Sequence, residues 1–291
     1  MHGRGWLHHR RRDRGRRRHP SLHCVMGELV DVERDGAIAR VVMHRNKINA
    51  IAEDLMSELG AAFTELGKDQ SVRAVVLASA YEKYFSVGAD LAAMGSIDRT
   101  APDAAEQIKA FMKRVNKHYD AIEHCPKPVI AAINGHAQGG GCELTLCCDF
   151  RIMVEDGRSR IGQTESALGI MPGAGGTQRL PRLIGMAKAK RFIIESTRLS
   201  AKEAEAAGLV DRAVAPEELK PAVDELAGKL AKGPTFAFAM IKDALHRGYD
   251  KPLHDALEIE MENFARTSLS TDAAIGIMSF LSKQEPEFTG S

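Results

Sequence analysis

Apolar residues alternate with other residues in two stretches near the start of the chain. Residues 30–33 and 38–43 have this period of two, which is the period of a β-strand with one buried face. Asp35-Gly36 lies between the stretches, and this dipeptide is typical of a tight turn. The pattern predicts a β-hairpin.

Three later runs are apolar, at 74–78, 128–133 and 150–154, apart from Arg151 in the last of them. A short run without alternation is typical of a strand that is buried on both faces. Between the last two runs, a glycine-rich segment leads into residues 140–148, for which we predict a helix. The recurring order of strand, glycine loop, helix and strand indicates an α/β fold with successive crossovers.

Helical spacing is the other main pattern of the chain. Apolar residues recur every three or four positions over 52–66, and Gly67 ends this segment. After about residue 186 the sequence predicts helices throughout. The signals there are a capping box at 200–203, a stop at Gly208, helix starts at Pro216 and Pro234, and helices over 252–266 and 271–283.

One apolar stripe in this C-terminal region consists of Leu253, Leu257, Met261 and Phe264. A helix with such a stripe buries it either in the core of its own chain or against another subunit. The sequence leaves both interpretations open.

The composition, 44% hydrophobic and 27% charged, is typical of a soluble globular protein. The length of 291 residues is enough for one large domain, or for one domain plus a helical appendage. No run of 18 apolar residues occurs, so we expect no transmembrane helix and no membrane partner. The five cysteines are odd in number and lack the spacing of a disulfide framework. They favour a reducing compartment, and we predict a cytoplasmic protein.

Charge is distributed unevenly. Residues 1–25 contain eight arginines and one acid, Asp13, so this arm carries +7 and, from a total of +1, the rest carries −6. We expect the arm to be disordered. It could be a solvated tail, a nucleic-acid-binding segment, an organellar transit peptide, or an upstream extension before a start at Met26. We favour the extension, because ordinary amphipathic sequence begins at Met26, and the lack of a basic pattern after residue 25 argues against nucleic-acid binding.

Two glutamates stand in glycine-rich frames. Glu143 follows three glycines at 139–141, and Glu165 precedes the glycine-rich segment 173–176. Two such carboxylates indicate general acid–base chemistry, in which one is kept protonated and the other ionised. His136, Cys142 and Cys147 are conceivable metal ligands, but cysteines on one apolar helix usually act as small hydrophobic residues. We therefore expect no metal.

Five segments, in this order, resemble the enoyl-CoA hydratase (crotonase) family: 47–50, 85–91, 127–135, the glycine-rich segment through Glu143, and 162–180. The resemblance covers about residues 26–288. It implies a spiral of ββα units followed by a helical C-terminal oligomerisation region that builds a homotrimer, often paired as a homohexamer. We therefore divide the chain into the arm 1–25, a crotonase core 26–220 and a helical C-terminal region 221–291.

The same resemblance implies the roles of the site residues. The backbone N–H groups of Ala89 and Gly140 would form an oxyanion hole for the thioester oxygen, helped by the helix N-terminus that begins at Gly140. Glu143 would activate the water that attacks C3, and Glu165 would protonate C2. The N–H of Gly173 would help to hold that water.

The walls of the family's coenzyme A and substrate site match Lys47, Ile48, Ala50, Val87, Ala89, Asp90, Leu91 and Gly140. Lys47 could reach a phosphate as a point charge, although a lone lysine is as often a surface residue. Val87, Leu91, Met94 and the segment 103–120 are expected to shape the acyl pocket.

The resemblance therefore implies a lyase, an enoyl-CoA hydratase that reversibly adds water, in the syn sense, to a trans-2-enoyl-CoA and gives a 3-hydroxyacyl-CoA. Such chemistry belongs to acyl-CoA and fatty acid metabolism. No GxGxxG follows a strand and no P-loop occurs, so neither NAD nor ATP is implied, and coenzyme A enters only as part of the substrate. The alternatives are an enoyl-CoA isomerase or acyl-CoA lyase of the same fold, or an acyl-CoA- or RNA-binding protein without turnover.

Overall fold

The structure is a computed structural model that describes residues 24–94, 98 and 100–291. The arm predicted at 1–25 lies outside the described residues except for the backbone of Cys24 and Val25, and the side chain of Met94 also lies outside them. From Cys24 onward, strands and helices follow one another as far as Ser282.

The strands of the described chain are short, and five of them have only two or three residues in positions that no pattern predicted. In chain order the strands are β1 (Cys24–Met26), β2 (Val30–Asp35), β3 (Ile38–Met43), β4 (Ala74–Ser79), β5 (Tyr84–Ser86), β6 (Val129–Ile133), β7 (His136–Gln138), β8 (Phe150–Val154), β9 (Ile161–Gly162) and β10 (Arg212–Val214). The predicted hairpin is β2–β3, and the three predicted buried strands are β4, β6 and β8. These predictions are confirmed.

The helices of the described chain lie between and after these strands. They are α1 (Glu53–Lys68), α2 (Leu91–Met94), α3 (Ala104–Glu123), α4 (Gly140–Leu146), α5 (Gly176–Ile184), α6 (Met186–Ile194), α7 (Ala201–Ala207), α8 (Leu219–Lys232), α9 (Thr235–Gly248), α10 (Leu253–Ser268) and α11 (Thr271–Ser282). The capping box of α7 is present, since Ser200 accepts from the Glu203 amide and the Glu203 side chain accepts from the Ser200 amide. The helix predicted at Pro216 begins three residues later, at Leu219.

Two sheets organise these elements. The large sheet has the order β1-β2-β3-β4-β6-β8-β10 and the small sheet the order β5-β7-β9. β1, β2 and β3 are antiparallel, and the strands from β3 onward pair in parallel. Between β4 and β9, successive strands belong alternately to the large and the small sheet. Each turn of the chain thus adds one strand to each sheet and then helical structure, which confirms the spiral of ββα units.

Both faces of the large sheet are buried. Successive residues of a strand point to opposite faces, so Val75 and Leu77 of β4 pack in one core while Val76 and Ala78 pack in a second. The first core includes α1 and α3, and the second is closed by α8. Burial on both faces explains why the run 74–78 contains no polar residue.

The prediction of helices throughout after residue 186 is wrong at 212–214. These residues form β10, which pairs in parallel with β8 and extends the large sheet by one strand. A strand of three residues is too short to show a period against the helical segments around it. The boundary suggested between residues 220 and 221 falls inside α8, whose Val223 and Ala227 pack on the second face of the sheet.

The C-terminal helices contribute little to either core. α9 and α10 pack on each other, and Asn263 donates to the Met240 carbonyl at 3.0 Å and to Asp243 at 2.8 Å. The stripe of Leu253, Leu257, Met261 and Phe264 is 42–75% exposed, so the interpretation of this stripe as a core face of its own chain is wrong. No helix in the described part of the chain is long and apolar enough to cross a membrane.

Candidate active site

The two glutamates predicted as an acid–base pair meet at the beginning of α4. Gly139 joins β7 to this helix with a φ of 53°, a left-handed conformation that glycine adopts without strain. Glu143 is the fourth residue of α4, and Glu165 begins a 3₁₀ helix after β9. Because β7 and β9 are neighbours in the small sheet, Glu165 reaches the same place, and a β-carbon on Gly139 would lie 2.9 Å from its Oε1.

Glu143 is buried and bound by two backbone amides. The residue is only 2% exposed. Its Oε1 accepts from the N–H of Ala174 at 2.8 Å and from the N–H of Gly176 at 2.7 Å. These amides belong to residues 174–176, which lead into α5 and which we call the amide turn. The turn fixes the carboxylate and leaves Oε2 without a bond in the described part of the chain.

Burial raises the pKa of Glu143 to about 7. The amides of Gly176 and Ala174 and the charge of Arg179 favour the carboxylate and oppose this rise, whereas the negative charge of Glu165 adds to it. A group with a pKa near neutrality exchanges protons readily at neutral pH, because both of its forms are populated.

Glu165 is half-buried, and burial also raises its pKa above the ordinary range. Its partner is Gln163, a fully buried residue that the sequence interpretation did not single out. In the amide orientation that satisfies both of its polar groups, Gln163 donates to Oε2 of Glu165 at 3.1 Å and to Oε1 at 3.3 Å. The negative charge of Glu165 adds to the rise in the pKa of Glu143, so the titration of Glu143 is coupled to the charge of Glu165.

The predicted oxyanion donors are Ala89 and Gly140. Ile51 forms a parallel bridge to Ala89 in which the N–H of Ile51 donates to Gly88 and its C=O accepts from Asp90. The N–H of Ala89 is therefore directed away from Ile51. Gly140 is the first residue of α4, where a backbone N–H has no acceptor within the helix. A β-carbon on Gly140 would lie 3.6 Å from the Ala89 nitrogen, so the two amides are close neighbours.

The residues predicted to form the coenzyme A wall lie together, beside the amides of Ala89 and Gly140. The bridge at Ile51 and the bond from the Val87 N–H to the Ile48 carbonyl, at 3.2 Å, align residues 48–51 with 87–90. Ala89 and Leu91 are exposed, and Ile48 and Val87 are half-buried. These residues form an accessible rim, whereas Ala50 and Gly140 lie beneath it and are buried.

Charged residues of the wall have different surroundings. Lys47 is exposed and has a left-handed backbone, with a φ of 61°. Asp90 forms an ion pair with Arg45 at 2.9 Å, and Arg45 also donates to the Ala50 carbonyl at 2.9 Å. The Asp90 side chain thus ties the two halves of the wall together, which the sequence interpretation did not foresee.

A buried polar network supports the wall from below. Asn49 donates to Ser79 Oγ at 2.8 Å and to the Phe85 carbonyl at 3.0 Å, and Ser86 Oγ donates to the Asn49 carbonyl at 2.7 Å. All three polar residues are buried, and none was predicted as a site residue. Asn49 and Ser86 lie inside two segments that resemble the family, at 47–50 and 85–91, whereas Ser79 lies outside all five segments and has no such signal.

Gly173 lies immediately before the amide turn and is exposed. Its carbonyl accepts from Asn116 of α3 at 2.9 Å, and a β-carbon on it would lie 2.9 Å from the methyl group of Met112. The amides that hold Glu143 belong to the next residues along the chain, and a bond from the Gly173 N–H to a water stays a prediction. Met112 lies within the segment 103–120 that we expected to shape the acyl pocket.

Within the described residues, no three His, Cys, Asp or Glu side chains are grouped so that they could hold a metal ion. Cys142 and Cys147 are buried free thiols, and burial raises the pKa of both. His136 accepts from the Arg160 N–H through Nδ1 at 3.1 Å. These contacts support the interpretation of the cysteines as packing residues.

A family model described as enoyl-CoA hydratase/isomerase matches residues 33–291 of the chain. The chain belongs to the enoyl-CoA hydratase/isomerase family. The match begins within β2 and includes both glutamates, both predicted oxyanion donors and the C-terminal helices, so the resemblance to the crotonase family is confirmed.

Relatives in this family are similar over nearly their full length. The chain is 36% identical to a crotonyl-CoA hydratase of Syntrophomonas wolfei over 262 residues, 90% of this chain and 98% of that protein. It is 37% identical to a short-chain-enoyl-CoA hydratase of Clostridium acetobutylicum over 259 residues, 89% of this chain and 96% of that protein.

A solved structure shares the fold. The crystal structure of an enoyl-CoA hydratase from Geobacillus kaustophilus superposes with a TM-score of 0.86 at 33% identity, over 93% of this chain and 100% of that one. The predicted crotonase fold is therefore confirmed.

Proposed function

We propose that this protein is an enoyl-CoA hydratase, a hydro-lyase that reversibly adds water, in the syn sense, to a trans-2-enoyl-CoA and gives a 3-hydroxyacyl-CoA. Family membership and the hydratase names of the relatives support the reaction class. The observation that carries the proposal is that two carboxylates lie at the start of α4, where the backbone amides of Ala89 and Gly140 are close neighbours.

The proposed reaction begins with the thioester oxygen in the hole formed by the N–H groups of Ala89 and Gly140. These donors stabilise the negative charge that develops on the oxygen when a nucleophile adds to C3. Ionised Glu143 takes a proton from water while the water oxygen forms a bond to C3. Protonated Glu165 gives its proton to C2, and a proton then passes from Glu143 back to Glu165 through solvent.

Two acid–base groups are what distinguishes hydration from simpler reactions of the same fold. Moving a double bond requires a proton to leave one carbon and reach another, and a single carboxylate can carry it. Adding water requires one group to receive a proton from water and another to supply one to carbon. Glu143, held by the amide turn, and Glu165, held by Gln163, have the separate surroundings that two roles require.

Substrate contacts are proposed along the predicted wall, from Lys47, Ile48, Ala50, Val87, Asp90 and Leu91. Coenzyme A enters there as part of the substrate, and the proposed steps use protein groups and water alone. Lys47 is the exposed cation of this rim and is proposed to contact a coenzyme A phosphate.

We further propose that the protein works as a homotrimer or a dimer of trimers in the cytoplasm, within acyl-CoA and fatty acid metabolism. The exposed stripe of α10 supports assembly, since apolar surface of this extent is typical of an interface. The free thiols of Cys125, Cys142, Cys147 and Cys148 suit a reducing compartment.

Hydration of trans-2-enoyl-CoA substrates of increasing chain length tests the proposal directly. Loss of the absorbance of the conjugated thioester reports turnover, and the series defines the acyl preference. Glu143→Gln and Glu165→Gln keep the side-chain shape and remove acid–base capacity. Each is expected to lower kcat by about 10²–10⁴-fold with little change in KM, because the backbone oxyanion donors remain.

Other outcomes would favour the other activities of the fold. If Glu143→Gln hydrates as fast as wild type while Glu165→Gln is inactive, a single-acid isomerase or lyase replaces the hydratase. If neither substitution matters because the wild type does not turn over any enoyl-CoA, a binding role replaces catalysis.

A further inference from the structure

The amide turn that binds Glu143 is anchored by side chains outside the predicted site. Arg179, in the first turn of α5, donates through Nη1 to the Ala174 carbonyl at 3.0 Å. Asn116 of α3 holds the Gly173 carbonyl just before the turn. Asn116 therefore fixes the peptide unit that carries the Ala174 N–H, and Arg179 fixes the next peptide unit along the chain.

Acidic side chains of α3 hold Arg179 in turn. Nε and Nη2 both donate to Oε2 of Glu123, at 2.9 and 2.5 Å, and Nη2 also donates to Asp120 at 3.0 Å. The side chains of Arg179 and Glu123 are 14% and 24% exposed, so solvent screens their attraction less than that of a surface pair. The guanidinium lies directly against Gly175, where any side chain would overlap with it.

We infer that Arg179, clamped by Glu123, is a positioning residue for Glu143 that acts through the amide turn. The inference rests on the proposed function, in which Glu143 removes a proton from water. Ala174 is the direct link, because its C=O accepts from Arg179 and its N–H donates to Glu143. A small displacement of a catalytic group has a large effect on rate, so this clamp matters for turnover although Arg179 is not placed against the substrate.

Several titratable groups face Glu143 from the elements packed around it. They are Tyr119 of α3, Cys142 within α4, Cys147 just after α4, Glu165 of the 3₁₀ helix and Arg179 of α5. Burial raises the pKa of the tyrosine and of both thiols, so these three stay neutral. The charges that act on Glu143 are thus the positive one of Arg179 and, when Glu165 is ionised, the negative one of Glu165.

Glu123 has charged neighbours of its own. His246 of α9 and His124 at the end of α3 lie near it, together with Arg179, and their positive forms favour its carboxylate. Burial lowers the pKa of His246, so it is mostly neutral at neutral pH, and Arg179 is the constant cation of this group.

Three substitutions separate the position of the turn from the charge of the clamp. Arg179→Gln removes both the positive charge and the planar guanidinium group that donates to Glu123 and to the Ala174 carbonyl. Arg179→Lys keeps the positive charge but loses the geometry of the guanidinium group. Arg182→Gln is the matched control, because Arg182 lies three residues later on α5 and pairs with exposed Asp250. All are compared by melting temperature, oligomeric state and the pH dependence of hydration.

For Arg179→Gln we expect kcat to fall on the order of 10- to 100-fold with KM nearly unchanged. The acidic limb of the pH–rate profile should also move to higher pH, because a lost positive charge makes the Glu143 carboxylate harder to form. Arg179→Lys should also have a lower kcat, but its acidic limb should move less because the positive charge remains. Arg182→Gln should match wild type in both kcat and pH–rate profile. If Arg179→Gln does not fold, Arg179→Lys and Glu123→Gln make the same test.

The decisive measurement combines Arg179→Gln with Glu143→Gln. If Arg179 acts through Glu143, the second substitution should cause almost no further loss of kcat. The inference would be overturned if the two losses of kcat multiplied in full in the double variant. It would also be overturned if the acidic limb of the pH–rate profile did not move in Arg179→Gln.

A direct titration of Glu143 separates this inference from the proposed function. With ¹³C-labelled glutamate carboxyl groups, the Glu143 signal is assigned by its absence in Glu143→Gln and followed against pH by NMR. If wild type hydrates no enoyl-CoA, the proposed function fails, yet a Glu143 midpoint raised in Arg179→Gln and unchanged in Arg182→Gln still supports the clamp. A midpoint equal in all three proteins rejects it.

Discussion

At the scale of single residues, Glu143 combines two opposing surroundings. Burial disfavours its charge, while two amides and the nearby cation of Arg179 favour it. The balance leaves a carboxyl group that changes its charge near pH 7 inside a site where most carboxyl groups would already be ionised. The sequence interpretation identified the residue through its frame, but the balance depends on residues 174–179, some 30 positions away in the chain.

This balance has a consequence for stability. The pKa of Glu143 rises from 4.5 in the unfolded chain to about 7 in the folded one, so the folded state holds its proton more tightly. The contribution of this proton to the free energy of unfolding is therefore fully present below pH 4.5 and is lost as the pH rises through 7. The loss is up to ~3 kcal/mol, because the two pKa values differ by about 2.5 units. Glu143→Gln removes this loss, and its stability relative to wild type should increase by that amount between pH 4.5 and pH 8.

Thermal or urea unfolding at fixed protein concentration, measured across this pH range, checks the prediction. Glu225→Gln on the exposed surface of α8 is the control and should follow the wild-type curve. Curves for Glu143→Gln and wild type that stay parallel at every pH would contradict a raised pKa at Glu143.

A second residue-scale prediction concerns Tyr119. Its fully buried hydroxyl donates to the Gly140 carbonyl at 3.1 Å and so braces the residue whose N–H is a proposed oxyanion donor. Tyr119→Phe should lower stability by about 1 kcal/mol and lower kcat several-fold. Tyr81→Phe is a matched control, because Tyr81 donates to the His44 carbonyl outside the site. Equal kinetic effects in the two variants would show that Tyr119 has a structural role only.

At the scale of elements, the sequence predicted the strands and helices that have a clear pattern and missed the strands of two or three residues. β4, β6 and β8 were found because both of their faces are buried, and the α7 capping box because its two partners lie three residues apart. The strands of the small sheet have two or three residues, and their pairing is set by the spiral rather than by their own pattern. The candidate site was recognised through its glycine frames, yet Asn49 and Arg179 support it through contacts between segments distant in sequence. Gln163 contacts Glu165, only two residues away, but no pattern in the sequence marks that contact.

The three glycines before Glu143 illustrate this difference. A β-carbon on Gly141 would overlap with the backbone carbonyl of Ser86, whereas one on Gly140 would meet Ile51 and Tyr119 at 3.3 Å, which small shifts can accommodate. Gly141→Ala should therefore lower the melting temperature strongly. Gly140→Ala should keep it close to wild type but lower hydration, because the methyl group lies 3.6 Å from the Ala89 nitrogen, beside the oxyanion site.

Melting temperature and kcat measured side by side separate these two effects. Gly228→Ala in α8, where a β-carbon meets nothing within 4 Å, is the control and should be slightly stabilised by ~0.5–1 kcal/mol. A Gly140→Ala protein with normal kcat would argue against this amide as an oxyanion donor.

At the scale of the whole molecule, one chain leaves a large apolar surface uncovered. Spacing on a helix is the same whether a stripe meets its own core or another subunit, so the sequence alone left this open. The two cores of the large sheet are closed by α1, α3 and α8, and α10 adds no buried apolar residue to them. The exposed stripe is therefore the surface on which the proposed trimer is expected to form.

Charge placed in that stripe should prevent assembly. Phe264 is 72% exposed in the single chain, so Phe264→Asp alters no internal packing, but a carboxylate buried in an apolar interface without a partner carries a large desolvation penalty. We expect wild type to have three or six times the chain mass of 31.7 kDa by light scattering at micromolar concentration, and Phe264→Asp to dissociate.

Asp255→Asn is the control for this prediction. Asp255 lies two residues from Leu257 and so on the opposite side of α10, and its substitution also changes the charge by one but should leave the mass unchanged. A wild-type protein of about 31.7 kDa would reject the trimer, and an assembled Phe264→Asp protein would move the interface away from this stripe.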